Sequence, residues 1–264
     1  MLRFPLWLTA DLTRARIAQK LRRGSGPLPI FFLRPMEGEV SSPPDQVEIA
    51  ALKKPATDLL ALVRNSSAPV VWIGGPEPLL CPELGQLVRG IAGLGRHTFL
   101  ETDGALLRRR IHEFRPGSRF FLTVQLDGLE PSHNRRAGRA DAFRLALEGI
   151  RAAKVSGFLV CVHARIDGET NLEEAGKLLR FAENLDVDGF LISQAAALPN
   201  AENRDRRALE QKTTEARKLI RNRSWEYFSR LVESARDRQL HSEQSSAPSR
   251  GAAPEATEEG VKVA

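Results

Sequence analysis

The sequence predicts an α/β fold built from parallel strands, and a partial (β/α)6 TIM-like barrel accommodates it. Six short apolar runs recur along the chain, and a stretch with helical spacing of apolar residues follows each of them. Strict alternation of strands and helices is typical of a parallel sheet. Six units are too few for a complete eight-stranded barrel, although the count alone also permits a doubly wound sheet.

The predicted elements follow from the periodicity of apolar residues in each segment. Strands are predicted over residues 28–33, 70–73, 97–100, 120–126, 158–166 and 189–193. Helices are predicted over residues 9–23, 47–64, 81–93, 106–114, 142–153, 171–184, 203–221 and 225–236. The segment around His133 and Asn134 is predicted as a loop.

Three regions are expected along the chain. Residues 1–27 hold an amphipathic helix, and residues 28–238 form the barrel with its C-terminal helices. Residues 239–264 are rich in Ser, Ala, Pro, Glu and Gly, a composition that cannot bury enough apolar surface to fold. We therefore expect a disordered tail there.

The composition argues against three classes of protein: nucleic-acid-binding, membrane-spanning and secreted. The chain has 264 residues and a formal net charge of +6, but no nucleic-acid fold signature accompanies its basic clusters, so no nucleic-acid partner is expected. No apolar run reaches the roughly 18 residues that span a bilayer, and the first eight residues are too short for a signal peptide. These features favour a cytoplasmic protein.

The N-terminal helix leaves two alternatives open. Apolar residues precede it and arginines lie on one of its faces, so residues 1–23 could make a peripheral membrane contact. The alternative is a helix packed under the barrel.

Residues 70–81 contain the most informative turn of the chain. The apolar run Val70–Ile73 is followed by Gly74 and Gly75, and Glu77 then stands at the carboxyl end of the strand. Ligand sites of parallel α/β proteins lie at these carboxyl ends. Two further segments follow at intervals of one strand–helix unit, Glu-Thr-Asp-Gly-Ala-Leu-Leu at 101–107 and Val-Gln-Leu-Asp-Gly at 124–128.

This series resembles the radical S-adenosylmethionine (SAM) superfamily, and within it the hopanoid-pathway members that transfer an adenosyl group. The resemblance spans roughly residues 9–235, so it covers nearly all of the chain except the tail, and it implies a chain that ends early relative to those members. It also implies a (β/α)6 barrel that binds SAM, with Glu77 holding the amino group and Gln125 and Arg165 facing the ribose and the carboxylate. Pro76, between Gly75 and Glu77, departs from the family pattern and removes one backbone donor.

Alternation along the strands predicts which side chains face the lumen. Gln125 and Asp127 share one face of the fourth strand, and Cys161, His163 and Arg165 share one face of the fifth. With the other strand ends, one mouth would collect Glu77, Glu101, Asp103, Gln125, Asp127, His163, Arg165 and Ser193. They would form either a small-molecule site or internal ion pairs, such as Arg165 with Glu77 or Asp103. The residues predicted to bind the cofactor are Gly74, Gly75, Glu77, Thr102, Asp103, Gln125, Asp127, His163 and Arg165, with no catalytic residue or metal ligand assigned.

The loop after the first strand departs further from the family. Members carry Cys-x3-Cys-x2-Cys there, whose thiolates hold a [4Fe–4S] cluster. Residues 34–46 contain no cysteine, and Cys81 and Cys161 follow other spacings. We therefore expect SAM as a possible ligand and no [4Fe–4S] cluster.

Three functions remain open at this stage. The first is a degenerate radical SAM protein with a ligand-binding or regulatory role in hopanoid or isoprenoid lipid metabolism, with an intact radical SAM relative as a possible partner. The second is an enzyme that acts on SAM or another small substrate without its own cluster. The third is a radical SAM enzyme whose cluster ligands come from a partner chain.

Overall fold

The fold was obtained as a computed structural model that describes residues 2–21, 28–36, 55–195 and 203–246. Six strands form one parallel sheet in the order β1-β2-β3-β4-β5-β6, curled into a half-barrel. The strands are Ile30–Leu33 (β1), Val70–Ile73 (β2), His97–Thr102 (β3), Phe120–Gln125 (β4), Leu159–Ile166 (β5) and Gly189–Gln194 (β6). The predicted partial (β/α)6 barrel is confirmed, because sequential neighbours pair along the whole sheet and no strand order reverses.

Helices surround the sheet. They are Leu6–Leu21 (α1), Ala56–Asn65 (α2), Leu84–Gly93 (α3), Leu107–Arg110 (α4), Glu130–Ala137 (α5), Ala142–Val155 (α6), Leu172–Asn184 (α7), Asn203–Lys218 (α8) and Arg223–Ser246 (α9). Within the described ranges, no helix is both long and apolar enough to cross a membrane.

An aromatic stack fills the lower lumen of the half-barrel. Strand register places Trp72, Phe99 and Phe121 in one row. Their rings stack with centroids 5.5 Å and 4.4 Å apart, and Phe228 of α9 lies 5.0 Å from Phe99. Offset aromatic stacking adds to the burial of these large side chains, so the amino-terminal half of the lumen is a packed core. Polar residues are left to the carboxyl-terminal half.

Helix α9 joins the two open edges of the sheet. Ser229 and Glu233 accept hydrogen bonds from the β6 amides of Ile192 and Gln194. Gln239 accepts from the amide of Phe32 and donates to its carbonyl oxygen, both at 3.0 Å, on the edge strand β1. Side chains of α9 thus satisfy backbone groups that an open sheet would leave unpaired.

Several helix boundaries differ from the prediction. A short 3-10 turn at Pro78–Leu80 precedes α3, which begins only at Leu84. The segment predicted as one helix over 106–114 is divided into α4 and a 3-10 turn at Ile111–Glu113. The part of the second predicted helix at residues 47–54 lies outside the described residues.

Helix α5 lies where a loop was predicted. Its residues are almost all polar, so apolar periodicity gives no helical signal. Glu174 of α7 accepts from the amide of Leu129 and the hydroxyl of Ser132, which stabilises the N-terminal end of α5 from outside. Gly138, with a φ of 66°, ends the helix.

The last helix runs to Ser246 rather than to residue 236. The first part of the segment predicted as a disordered tail is therefore helical. Residues 247–264 lie outside the described residues.

Candidate functional site

The carboxyl ends of the strands open into a cavity of about 1590 Å³ that also extends around β1 to α2. Seven of the nine residues predicted to bind the cofactor line it: Gly74, Gly75, Glu77, Thr102, Asp103, Gln125 and Arg165. Asp127 lines a smaller neighbouring cavity of about 140 Å³, and His163 lies buried beneath the mouth. The structure thus brings the predicted residues to one end of the half-barrel.

Glu77 connects the turn after β2 to the turn after β3. Its carboxylate accepts from the amide of Leu79 at 2.9 Å, capping the 3-10 turn, and from the hydroxyl of Thr102 at 2.8 Å. A third donor is the amide of Asp103, at 2.9 Å. A ligand ammonium group would therefore have to share these oxygens with internal donors.

The pKa of Glu77 is raised. Burial penalises its charged form, and the nearby Asp103 carboxylate raises the pKa further, to about 8. At neutral pH the carboxyl is consequently largely protonated, which lowers the repulsion between the two acidic side chains. A cation that binds between them would favour ionisation of Glu77.

The Gly-Gly turn allows a close approach of the backbone to the lumen. Gly75 has a φ of 104°, a conformation that side chains with a Cβ rarely adopt. A Cβ atom on Gly74 would lie 3.0 Å from Oε2 of Glu101. The two glycines thus keep the mouth open above Glu101.

A hydrogen-bonded chain crosses the lumen below the mouth. Nδ1 of His163 lies 2.6 Å from Oε1 of Glu101, and Nε2 lies 2.8 Å from Oγ of Ser193. The other carboxylate oxygen of Glu101 accepts from Nε1 of Trp72 at 2.9 Å. An acid, an imidazole and a hydroxyl in line form an arrangement that can orient and move a proton.

Glu101 is held ionised in this chain. Burial alone would raise its pKa, but His163, Arg236 and the indole N–H of Trp72 together outweigh that effect, so the pKa of Glu101 lies well below its usual range. The sequence placed Glu101, His163 and Ser193 at one mouth but did not identify their connection. The usable signal was strand alternation, which turns all three toward the lumen.

Arg165 pairs with Asp127. Nη2 of Arg165 lies 2.7 Å from Oδ2 of Asp127, and the amide of Gln125's side chain donates to the same oxygen at 2.7 Å. Burial alone would lower the pKa of Arg165, but the Asp127 carboxylate, together with Glu101 and Asp167, outweighs that effect and raises it. Arg165 thus forms an internal ion pair, but with Asp127 rather than with Glu77 or Asp103, because the end of the adjacent strand β4 supplies a closer carboxylate.

The two cysteines lie apart in the fold and are both buried. Cys81 follows the 3-10 turn, and Cys161 is inside β5, where burial raises the pKa of its thiol. Among the described residues, no group of three or more His, Cys, Asp or Glu side chains is arranged to hold a metal ion. A [4Fe–4S] cluster needs several thiolate ligands, and the two separate, buried thiols of the described residues do not form such a donor set.

A parallel half-barrel with a polar mouth at the carboxyl ends of its strands places the chain in the class of α/β-barrel folds. Residues 46–182 match the family model described as "Radical SAM superfamily". The match covers just over half of the chain, and the chain therefore belongs to the radical SAM superfamily.

Two of the curated relatives are described as GTP 3',8-cyclases. The chain is 27% identical over 126 residues to "GTP 3',8-cyclase 1" of Mycobacterium tuberculosis, covering 45% of this chain and 35% of that protein. It is 28% identical over 119 residues to "Probable GTP 3',8-cyclase" of Saccharolobus solfataricus, covering 45% and 39%. The chain thus spans less than half the length of these relatives. They give no support to the narrower likeness to hopanoid-pathway members.

Solved structures show the same fold at low sequence identity. Streptococcus suis SuiB bound to S-adenosylmethionine matches with a TM-score of 0.55 and 16% identity, over 79% of this chain and 49% of that chain. SuiB bound to the precursor peptide SuiA gives 0.57 and 15%, over 79% and 51%. The anSMEcpe protein with bound AdoMet gives 0.52 and 14%, over 74% and 57%.

Proposed function

We propose that this chain is a ligand-binding member of the radical SAM superfamily that binds SAM, or a ligand with the same amino-acid group, without holding a [4Fe–4S] cluster of its own. The proposal rests on which ligand-binding side chains the chain contains and which it lacks. The mouth retains carboxylate, amide and guanidinium groups at the strand ends, whereas the loop at residues 34–46 contains no cysteine.

The polar groups of the mouth suit an amino acid. Glu77 and Asp103 stand together on the β2–β3 side and would take the ligand's ammonium group. Arg165, with 43% of its side chain exposed, and Gln125 stand on the β4–β5 side and would take carboxylate and ribose oxygens. Bound SAM is named in the descriptions of SuiB and anSMEcpe, two proteins with this fold.

Anaerobic reconstitution with iron and sulfide tests the cluster half of the proposal. Wild-type protein and a Cys81→Ser/Cys161→Ser variant would be treated in parallel, desalted and analysed for iron, sulfide and visible absorbance. The proposal predicts no stoichiometric iron in either protein. Iron and sulfide that bind at four atoms each per wild-type chain, with a [4Fe–4S] spectrum, would overturn it.

Two narrower roles rest on this proposal. One is regulation of an intact radical SAM relative, which co-purification with that relative would test. The other is a link to hopanoid or isoprenoid lipid metabolism, which only the sequence resemblance supports; the GTP 3',8-cyclase relatives point elsewhere. A radical SAM activity with ligands supplied by a partner chain has no observation in its favour.

A second candidate is an enzyme that needs no cluster. The chain Glu101–His163–Ser193 favours it, because an ionised carboxylate orients the imidazole whose other nitrogen meets a hydroxyl. Ser193 is only 2% exposed, so a substrate would need the mouth to open. Labelling of Ser193 by a fluorophosphonate, absent in His163→Gln, would support this candidate; no labelling of the wild type would remove it.

A further inference from the structure

Helix α1 carries an exposed face that is both apolar and basic. It leaves Leu6 84%, Trp7 67%, Ile17 54% and Leu21 80% exposed. At 100° per residue, Leu6, Ile17 and Leu21 fall on one side of the helix, opposite the buried Leu8 and Leu12. These side chains form the apolar part of what we call the α1 face.

The charges around these residues are positive. Arg3, Arg14, Arg16 and Lys20 are exposed beside the apolar side chains. The one carboxylate of the helix, Asp11, is largely buried, with His97 at 3.0 Å and Arg119 at 3.3 Å, and it also pairs with Arg14 at 3.2 Å. The α1 face therefore presents basic groups together with large apolar groups, and its own helix adds no exposed carboxylate to it.

We propose that the α1 face docks the protein on the surface of an anionic lipid bilayer. Apolar side chains of an interfacial helix enter the boundary between headgroups and acyl chains, while lysine and arginine contact the acidic headgroups. Charge complementarity selects this occupant over a second copy of the chain, because two basic faces would repel each other.

The position of α1 sets the orientation of the docked protein. Asp11 contacts His97, the first residue of β3, and Phe4 packs on Trp225 with ring centroids 4.8 Å apart. Helix α1 therefore lies at the amino ends of the strands, opposite the cavity. In the docked protein, the mouth lined by Glu77 and Arg165 opens away from the bilayer, toward water-soluble ligands.

Co-sedimentation with vesicles tests the proposal. The probes are phosphatidylcholine vesicles with and without one third phosphatidylglycerol. Wild-type protein is expected to bind the anionic vesicles at least about tenfold more tightly, and added salt should weaken that binding. A Leu6→Ser/Ile17→Ser/Leu21→Ser variant and an Arg3→Glu/Lys20→Glu variant should each lose about tenfold or more in affinity.

Matched controls come from exposed positions elsewhere. Leu80→Ser removes an exposed apolar side chain in the 3-10 turn after β2, and Arg135→Glu reverses an exposed charge on α5; both positions lie at the carboxyl ends of the strands, away from α1. Both should bind like the wild type.

Trp7 supplies a second readout, because Trp72 and Trp225 are buried. A blue shift of its emission with anionic vesicles alone is expected. Equal binding to neutral vesicles, unchanged binding of the α1 variants, or sedimentation without vesicles would overturn the proposal.

Discussion

The hydroxyl of Thr102 donates to the carboxylate of Glu77 at 2.8 Å, and this contact ties the exit turn of β3 to that of β2. The amide of Asp103 makes a second contact with the same carboxylate. Glu77 is therefore a structural link between two turns as well as a candidate ligand group. Its raised pKa makes the link sensitive to pH.

Stability should depend on pH through Glu77. The folded protein keeps the proton up to a pH of about 8, whereas the unfolded chain releases it near 4.5. Between these values the folded state binds more protons, so the free energy of unfolding contributed by Glu77 falls as pH rises. The expected fall is on the order of 3–5 kcal/mol, at about 1.4 kcal/mol for each pKa unit between 4.5 and about 8.

Urea denaturation of the wild type and of Glu77→Gln, at pH values between about 5 and 8.5, measures how the contribution of Glu77 to the free energy of unfolding changes with pH. The difference between the two proteins should change with pH, while Glu130→Gln, at an exposed site, should track the wild type. Parallel pH profiles for wild type and Glu77→Gln would contradict the assignment.

The contribution of Glu101 to stability should change with pH in the direction opposite to that of Glu77. Its folded pKa is depressed, so its contribution to stability is present above the unfolded value of about 4.5 and is lost as pH falls. Glu101→Gln removes the charge that faces His163 and should cost on the order of 3 kcal/mol at pH 7, because it breaks a buried pair.

The matched control for Glu101 is a surface ion pair. Glu173 is 74% exposed and lies 2.8 Å from Lys177, so Glu173→Gln should leave stability nearly unchanged. Chemical denaturation at pH 7 and pH 4 separates the two. Equal losses of unfolding free energy in the two variants would mean that the Glu101–His163 pair contributes no more to stability than a surface ion pair.

Gly104 should not tolerate a side chain. Its φ is 84°, and a Cβ would lie 2.9 Å from the Cα of Ala146 in α6. Gly104→Ala should destabilise the protein by roughly 2–4 kcal/mol, since strain and a backbone clash add. Gly168→Ala, where nothing lies within 4 Å, should cost less than about 1 kcal/mol. Thermal denaturation of both variants is the measurement, and equal melting temperatures would contradict the close approach.

Gln239 should protect the edge of β1. Gln239→Leu removes both hydrogen bonds to Phe32, so the Phe32 amide should exchange with deuterium about tenfold faster or more. Arg238→Ala, at an exposed neighbouring site, should leave that rate unchanged. Slow exchange of Phe32 in Gln239→Leu would show that α9 does not close this edge through Gln239.

The strands and the mouth could be predicted because both follow from local pattern. Apolar runs gave β2 over its whole length, and alternation placed Glu101, His163 and Ser193 toward the lumen. Helix α5 could not be predicted, because a carboxylate distant in sequence, Glu174, stabilises its N-terminal end. The partner of Arg165 also depends on tertiary distances.

The sequence predicts only part of the role of Glu77. Its place at the end of β2 follows from the sequence, but the donors Thr102 and Asp103 arrive from the next strand. Their hydrogen bonds occupy the carboxyl oxygens, while burial and the nearby Asp103 carboxylate raise the pKa of Glu77. Strand alternation carries no information about such contacts between turns.

Calorimetric titration of SAM into iron-free protein at pH 7, with Glu77→Gln in parallel, tests the central claim most directly. The account predicts micromolar binding to the wild type, accompanied by release of a proton as Glu77 ionises, which titrations in two buffers of different ionisation enthalpy detect. It also predicts at least about tenfold weaker binding to Glu77→Gln. No binding to the wild type, or equal affinity in both proteins, would contradict it.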